Sequence, residues 1–122
     1  MTLLSPVGTC VEALDTPSLI VDLDVLDSNI AVMTGLLAER GVAWRPHAKA
    51  HKSPAMAHRL LAAGAIGITC AKVSEAEVYA AAGIRDILIA NQVVGPIKAR
   101  RLAELASEID IMVATRQPQR HR

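Results

Sequence analysis

The chain has 122 residues, a length typical of one domain, and 52% of them are apolar, which is enough for a buried core and argues against disorder. Its formal net charge is +1 and its only aromatic residues are Trp44 and Tyr79, so it lacks the basic, stacking surface that nucleic-acid binding requires. Because it has no apolar run of membrane-spanning length, no signal-like start and no cysteine pair with metal or redox spacing, we expect a cytoplasmic protein without a nucleic-acid or membrane partner.

The first quarter of the chain predicts a strand followed by a helix. Residues 1–13 form a loose leading segment, and the aliphatic, β-branched run 18–23 predicts a strand. Asp24 is the predicted cap of a helix that ends at Gly41. The apolar residues of this helix recur at helical spacing, namely Leu26, Ile30, Met33 and Leu37.

The stretch 42–52 contains an unusual row of polar side chains. If this stretch is extended, Arg45, His47 and Lys49 lie on one face, because successive residues of a strand alternate. The other face is apolar and carries Val42, Trp44, Pro46 and Ala48. A row of Arg, His and Lys is costly to bury unless these groups are paired. The polar face therefore indicates a ligand site, and the apolar face requires a covering layer.

The remainder of the chain alternates predicted helices and strands. Ser53 with Pro54 is a predicted N-cap and first turn, 74–77 is a predicted capping box, and Gly95 with Pro96 starts a third helix. The predicted strands are 42–48, 66–72, 86–91 and 109–114. This βαβαβαβ order predicts an α/β fold, either a (β/α) TIM-type barrel or a doubly wound sheet. No nucleotide-binding glycine motif follows any strand, and we favour the barrel.

Polar residues collect at the predicted carboxyl ends of the strands, where parallel α/β folds place their chemistry. They are His47, Lys49 and His51 after the first strand, Lys72 after the second, and Asn91 and Gln92 after the third. Taken singly, Lys72, Asn91 and Gln92 are better explained as helix-capping or solvated loop residues.

Lys49 is the predicted nucleophile. Arg45, His47 and Lys52 place positive or potentially positive charge near it, which disfavours its ammonium form. Because a neutral lysine amine attacks carbonyl groups, the pattern favours Schiff-base chemistry. A metal site is not expected, since Pro46 prevents the helix that would bring His47 and His51 together. His58 is predicted to be a solvated helix residue.

Five segments of the chain resemble one enzyme family. They are Asp-Thr-Pro-Ser-Leu at 15–19, Arg-Pro-His-Ala-Lys-Ala-His-Lys at 45–52, Lys-Val-Ser-Glu-Ala at 72–76, Ala-Gly-Ile-Arg-Asp-Ile at 82–87 and Asn-Gln-Val-Val-Gly-Pro at 91–96. Together they resemble the amino-terminal part of the D-threonine aldolase and D-serine dehydratase family, over about residues 14–114. These enzymes have the alanine racemase type of barrel and use pyridoxal 5′-phosphate (PLP).

The resemblance implies a PLP-dependent lyase of D-amino acid metabolism. Its substrates would be β-hydroxy D-amino acids, cleaved in an aldol reaction or dehydrated. Lys49 would be the catalytic residue and would hold PLP as an internal aldimine. The further candidates for cofactor binding are His47, Arg45, Lys72, Asn91 and Gln92. Alanine racemases proper have asparagine, tyrosine and glycines after their lysine, and this chain does not, so a racemase is the weaker expectation.

The chain also departs from the family. Family members are some three times longer, so 14–114 would form about half a barrel, after a leading segment 1–13 and before a divergent tail 115–122. The divalent-metal ligands of the full-length family have no counterpart here. These departures predict an inactive truncated product that self-associates through open sheet edges. A small PLP carrier or homeostasis protein is the remaining alternative. We further expect the four strands to pair in parallel in the order 1-2-3-4, with 18–23 outside the sheet.

Overall fold

The computed structural model describes residues 7–115, which fold into one parallel sheet with helices packed against it. The α-helices are α1 (Leu23–Ala38), α2 (Pro54–Ala62), α3 (Val73–Ala81) and α4 (Pro96–Ala106), and a short 3₁₀ turn covers Val11–Ala13. The strands are β1 (Ile68–Cys70), β2 (Asp86–Ile89) and β3 (Asp110–Val113). All three strands lie at predicted positions but are shorter than predicted. Apart from Thr115, the predicted divergent tail lies outside the described residues.

The three strands pair in parallel in the order β1-β2-β3, as predicted. Ile68 pairs with Ile87, which pairs with Ile111, so these side chains share one face of the sheet. That face packs against α3 and α4, and Ile68 and Ile87 are fully buried. The opposite face carries Gly67, Thr69, Asp86, Leu88, Asp110 and Met112. We call it the open face, because Leu88 remains partly accessible and Met112 is 43% exposed.

The segment 44–48 runs beside β1 but forms only one bridge with it. Ile66 N–H donates to the Trp44 carbonyl, and a parallel bridge joins His47 to Thr69. The prediction of a regular strand over 42–48 is therefore wrong, although its place next to β1 is correct. The physical reason is Pro46, whose nitrogen carries no hydrogen and cannot supply the next donor of the ladder.

The prediction of a strand over 18–23 is also wrong. Residues 18–22 are irregular and α1 already begins at Leu23. Leu19 is 88% exposed, and no described strand pairs with this segment, so its β-branched composition has no sheet edge to join. The segment lies outside the sheet, as expected. Asp22, rather than the predicted Asp24, caps α1, because its carboxylate accepts the N–H groups of Asp24 and Val25 at 3.0 Å.

The caps of the next two helices differ from each other. Ser53 caps α2 as predicted, with its hydroxyl accepting the Met56 N–H. The predicted capping box over 74–77 is wrong, since α3 begins at Val73 and no side chain caps it. The Glu75 carboxylate instead accepts the N–H of Ala71, the residue before the N-cap position Lys72, at 2.8 Å. The result is a carboxylate tied to the end of β1.

Two apolar clusters cover the sheet and its edge. The larger lies between the helices and the strands, with Ile68, Ile84, Ile87, Ile89 and Cys70 as its most deeply buried side chains. The smaller joins Ile30 of α1 and Leu60 of α2, and half-buried Trp44 packs against it. α1 and α2 thus cover Trp44 of the apolar face of 42–48, whereas Ala48 is buried in the larger cluster and Val42 remains exposed. A bidentate ion pair between Arg59 and Asp27 connects these two helices.

Gly67 makes room for an ion pair on the open face. Arg45 forms a bidentate ion pair with Asp86 at the amino end of β2. A Cβ atom on Gly67 would overlap the Arg45 guanidinium and would lie 2.9 Å from Asp86 Cγ. The absence of a side chain at position 67 therefore allows the guanidinium to cross β1.

This geometry predicts opposite effects for two glycine substitutions. Gly67→Ala should lower the free energy of unfolding by about 1–3 kcal/mol, because the new methyl group displaces the ion pair and its Cβ lies 2.5 Å from the Asp86 backbone carbonyl oxygen. Gly35→Ala, in α1, should raise it by about 0.5–1 kcal/mol, since nothing lies within 4 Å of its Cβ position and alanine favours a helix. Thermal melting followed by circular dichroism at equal protein concentration measures both. A Gly67→Ala variant as stable as the parent would contradict this role for Gly67.

Candidate functional site

The candidate site lies where the carboxyl ends of β1 and β2 meet the end of the segment 44–48. The parallel register brings these three ends to one rim of the sheet. Lys49 follows the segment 44–48, Lys72 follows β1 and Asn91 follows β2. All three side chains are exposed on this rim. The rim is therefore polar, as the sequence predicts for a parallel α/β fold.

Lys49 lies in a tight turn over 48–51. The turn begins at buried Ala48, whose N–H donates to the Thr69 carbonyl at 2.8 Å, and closes where the Lys52 N–H donates to the Ala48 carbonyl at 2.9 Å. Between these anchors the Lys49 side chain is exposed. Within residues 7–115 no carboxylate lies within ion-pair distance of Lys49, whereas Lys52 Nζ lies 3.4 Å from Glu75 Oε1. Of these two lysines, Lys49 has the amine without an anionic partner.

His47 is half-buried at the start of this turn and lies on the open face in register with Thr69. Its Nδ1 atom accepts the Lys49 backbone N–H at 3.1 Å. In the neutral ring the proton then resides on Nε2. His47 thus orients the backbone of Lys49 with one nitrogen and keeps the other as a hydrogen-bond donor.

A pocket of about 220 Å³ lies at the same rim between α3 and α4. Three of the predicted site residues line it together, namely Lys72, Asn91 and Gln92. The Asn91 side chain is already engaged, since its Nδ2 donates to the Ala71 carbonyl at 3.3 Å and its Oδ1 accepts the Gln92 N–H at 2.9 Å. Asn91 therefore ties the ends of β1 and β2 together.

The structure places the Arg45 side chain away from this rim. Its guanidinium pairs with Asp86 at the amino end of β2, whereas Lys49 follows the carboxyl-terminal end of its own segment. Arg45 and His47 lie on the open face, as the alternation of side chains predicts, but Lys49 lies in the turn beyond the extended segment.

Two side-chain contacts are not indicated by the sequence, one at the rim and one at the far end of α3. Glu75 binds both the Ala71 N–H and the Lys52 ammonium. Burial raises the pKa of the Glu75 carboxyl, but the Ala71 hydrogen bond and the Lys52 charge outweigh burial and leave that pKa lowered. His58 is exposed, as expected of a solvated residue, and its Nε2 also lies 2.8 Å from the Ala82 carbonyl oxygen at the end of α3. The contacts of Glu75 and His58 join different parts of the fold, so a local sequence pattern does not predict them.

The two cysteines have contrasting surroundings. Cys10 is an exposed free thiol, and Cys70 is fully buried in β1. Burial, together with the nearby Glu75 carboxylate, raises the pKa of the Cys70 thiol to about 12. Among residues 7–115 no group of three or more His, Cys, Asp or Glu side chains is placed to hold a metal ion.

His51 is the last residue of the turn, which His47 directly precedes. Its Nδ1 accepts the Ser53 N–H at 3.0 Å, and its buried Nε2 has no hydrogen-bond partner among the described residues. Burial lowers the pKa of His51. The neutral ring is also the form that can accept the Ser53 N–H. Protonation of His51 therefore opposes the folded turn.

This environment predicts a pH-dependent contribution of His51 to stability. Below about pH 6.5 the unfolded chain binds a proton at His51 before the folded chain does, so this contribution is lost as the pH falls. His51→Asn keeps an acceptor for the Ser53 N–H but does not titrate. The melting temperature of the parent minus that of the variant should stay constant above about pH 7 and fall toward about pH 5. A difference that rises as the pH falls would contradict this assignment.

Comparisons with known proteins identify the fold. The family described as "Alanine racemase, N-terminal domain" matches residues 21–119. A D-threonine aldolase from Arthrobacter sp. is 50% identical over 106 residues, which cover 87% of this chain and 28% of that protein. A D-threo-3-hydroxyaspartate dehydratase from Delftia sp. (strain HT23) is 48% identical over 77 residues, or 63% of this chain and 20% of that protein.

A solved structure agrees with these sequence relatives. The crystal structure of D-threonine aldolase from Filomicrobium marinum superimposes with a TM-score of 0.82 at 48% identity, covering 84% of this chain and 28% of that one. The chain thus spans about a quarter of the length of the relatives it matches. Among residues 7–115, no helix combines the length and apolar character needed to cross a bilayer. The parallel sheet, its polar rim and these matches together show that the chain belongs to the alanine racemase N-terminal domain family, with D-threonine aldolases among its relatives.

Proposed function

We propose that this chain carries the lysine-bearing part of a PLP-dependent lyase that acts on β-hydroxy D-amino acids. The observation that carries the proposal is the position of Lys49. Its amine is exposed at the rim of a parallel sheet, without an anionic partner within residues 7–115. Relatives described as a D-threonine aldolase and a D-threo-3-hydroxyaspartate dehydratase support the same assignment.

The residues present at the rim fit the chemistry of PLP. The cofactor has an aldehyde, which requires a lysine amine, and an anionic phosphate, which favours cationic surroundings. Lys49 provides the amine and Lys72 adds positive charge at the end of β1. His47 keeps its Nε2 proton as a donor toward an oxygen acceptor, because its Nδ1 is engaged by Lys49 N–H. When bound, PLP would withdraw electrons from the substrate carbon whose bond breaks.

In this proposal each residue of the rim has a separate task. Lys49 would attach the cofactor through its amine, and its free amine would be available as a base. His47 holds the Lys49 backbone through Nδ1 and would donate to the cofactor through Nε2. Lys72 and Gln92 contribute polar contacts in the pocket at the rim. Asn91 maintains the spacing of the ends of β1 and β2 through its hydrogen bond to the Ala71 carbonyl. Arg45 contributes to stability through Asp86 rather than to cofactor binding.

The two relatives define a shared substrate class rather than one substrate. D-threonine and D-threo-3-hydroxyaspartate, as those proteins are described, both carry a hydroxyl group on the β-carbon. An aldolase breaks the bond between the α- and β-carbons, and a dehydratase removes the β-hydroxyl group. Both reactions place negative charge near the α-carbon, which is the charge that PLP disperses. We therefore propose β-hydroxy D-amino acids as the substrate class.

Covalent labelling tests the role of Lys49. At limiting PLP, borohydride reduction followed by peptide mapping should place more label on Lys49 than on Lys52, because Lys52 is engaged by Glu75. Lys49→Arg should remove most of this label, since arginine keeps the charge but cannot form the bond.

Lys52→Arg provides the matched control, because it preserves a cation for Glu75 and leaves Lys49 in place. This variant should retain the Lys49 label. Label on Lys52 with Lys49 unmodified in the parent chain would overturn the assignment.

The open face leads to an expectation for the 122-residue chain by itself. No element within residues 7–115 covers Leu88 and Met112, so water reaches the face on which His47 lies. Exclusion of water strengthens the electrostatic interactions on which such chemistry depends. We expect the chain alone to cleave or dehydrate no β-hydroxy D-amino acid, as measured by aldehyde or keto-acid release. Turnover of D-threonine by the chain alone would show that the described residues suffice.

A further inference from the structure

We propose that Glu75 is a positioning residue for Lys49, acting through Lys52. The inference rests on the proposed role of Lys49 and identifies what holds its turn in place. Four residues form the connection, which we call the rim brace: Lys52, Glu75, Ala71 and Asn91. Glu75 Oε1 lies 3.4 Å from Lys52 Nζ, Glu75 Oε2 accepts the Ala71 N–H at 2.8 Å, and Asn91 Nδ2 donates to the Ala71 carbonyl at 3.3 Å.

The backbone of Lys52 indicates that the turn needs such support. Lys52 is the one described non-glycine residue with a positive φ, at 49°. A side chain with a Cβ atom is disfavoured in this left-handed region, and such a conformation persists where surrounding contacts fix it. Two contacts do so here. The Lys52 N–H donates to the Ala48 carbonyl, and its ammonium pairs with Glu75.

Glu75 is suited to be the fixed end of this contact. Its side chain is only 15% exposed, whereas that of Lys52 is 64% exposed. Its position on α3 is set by the helix, and its second oxygen is held by the backbone of Ala71 directly after β1. Glu75 therefore connects the ammonium group of Lys52 to α3 and to the end of β1.

The two ends of the turn are held by different means. Ala48 is fixed by a hydrogen bond from its backbone N–H to the Thr69 carbonyl, which does not depend on a particular side chain. Lys52 is joined to the rest of the fold by a side-chain ion pair. Loss of that pair would leave the far end of the turn held by the Ala48 carbonyl, by the local bond between His51 and Ser53, and by the Ser53 cap of α2. The Lys49 amine would then sample a wider range of positions.

Other charges around Glu75 define the controls. Lys72 is close enough to influence the Glu75 carboxylate, so it could replace Lys52 in part. Glu77 lies on the same helix and pairs with Arg101 of α4, away from the turn. Glu77→Gln therefore removes an ion pair of the same kind without touching the rim brace.

The test combines two measurements on the full 122-residue chain. Amide hydrogen exchange of residues 49–52 reports the order of the turn, and the share of reduced PLP label on Lys49 at limiting cofactor reports the position of its amine. Glu75→Gln keeps an acceptor for the Ala71 N–H and removes the charge. Glu75→Gln and Lys52→Met should each increase exchange by about two- to fivefold and lower the Lys49 share by a similar factor.

Further variants separate positioning from general stability. The double variant Glu75→Gln with Lys52→Met should behave like either single variant, since both remove the same contact. Lys52→Arg should retain the parental values, and Glu77→Gln should leave both readings near them even if it lowers the melting temperature. Glu75→Gln readings equal to those of Glu77→Gln would overturn the proposal.

The two readings also distinguish this inference from the proposed function. If the parent chain labels Lys49 but Glu75→Gln changes neither reading, the positioning role fails and the function stands. If Glu75→Gln increases exchange in 49–52 but the parent chain never labels Lys49, the rim brace stands as a structural device and the proposed function fails.

Discussion

The parallel register of β1, β2 and β3 determines which side chains of this protein can meet. Ile68, Ile87 and Ile111 align on one face and form the floor of the apolar core. The same alignment brings the ends of the strands to one rim, so Lys72 and Asn91 become neighbours although 19 positions separate them in the sequence. A shift of one residue in either pairing would exchange the buried and open faces. The core and the candidate site therefore depend on the same hydrogen bonds.

Much of the fold follows from local sequence patterns. Alternating aliphatic strands and capped helices correctly predict the parallel order, and Ser53 followed by Pro54 correctly predicts the start of α2. The prediction of a strand over 18–23 is wrong because it considers this segment alone. Its β-branched residues fit a sheet, but a strand also requires a partner, and the described sheet offers this segment none. Patterns along the chain indicate how a segment can fold, and pairing decides whether it does.

In the candidate site, too, local features can be predicted from the sequence and long-range contacts cannot. Lys49 is recognisable from the sequence because its motif is local and is shared with a known family. The partners of Arg45 and Lys52 are not recognisable, because Asp86 lies 41 positions beyond Arg45 and Glu75 lies 23 positions beyond Lys52. Glu75 looks like a helix-capping residue in the sequence, and only the fold shows that it reaches the end of β1. Long-range ion pairs thus account for the part of the site that sequence patterns do not reveal.

The difference in exposure between Cys10 and Cys70 allows opening of the core to be measured by thiol labelling. The thiolate is the reactive form of cysteine, and Cys70, with its pKa raised to about 12, is protonated and enclosed at neutral pH. Cys10 is exposed. Since the chain has two cysteines, a bulky thiol reagent adds one mass increment to the folded chain and a second only when β1 separates from its helices. The rate of the second addition thereby measures how often the core beneath the rim opens, without any substitution in the protein.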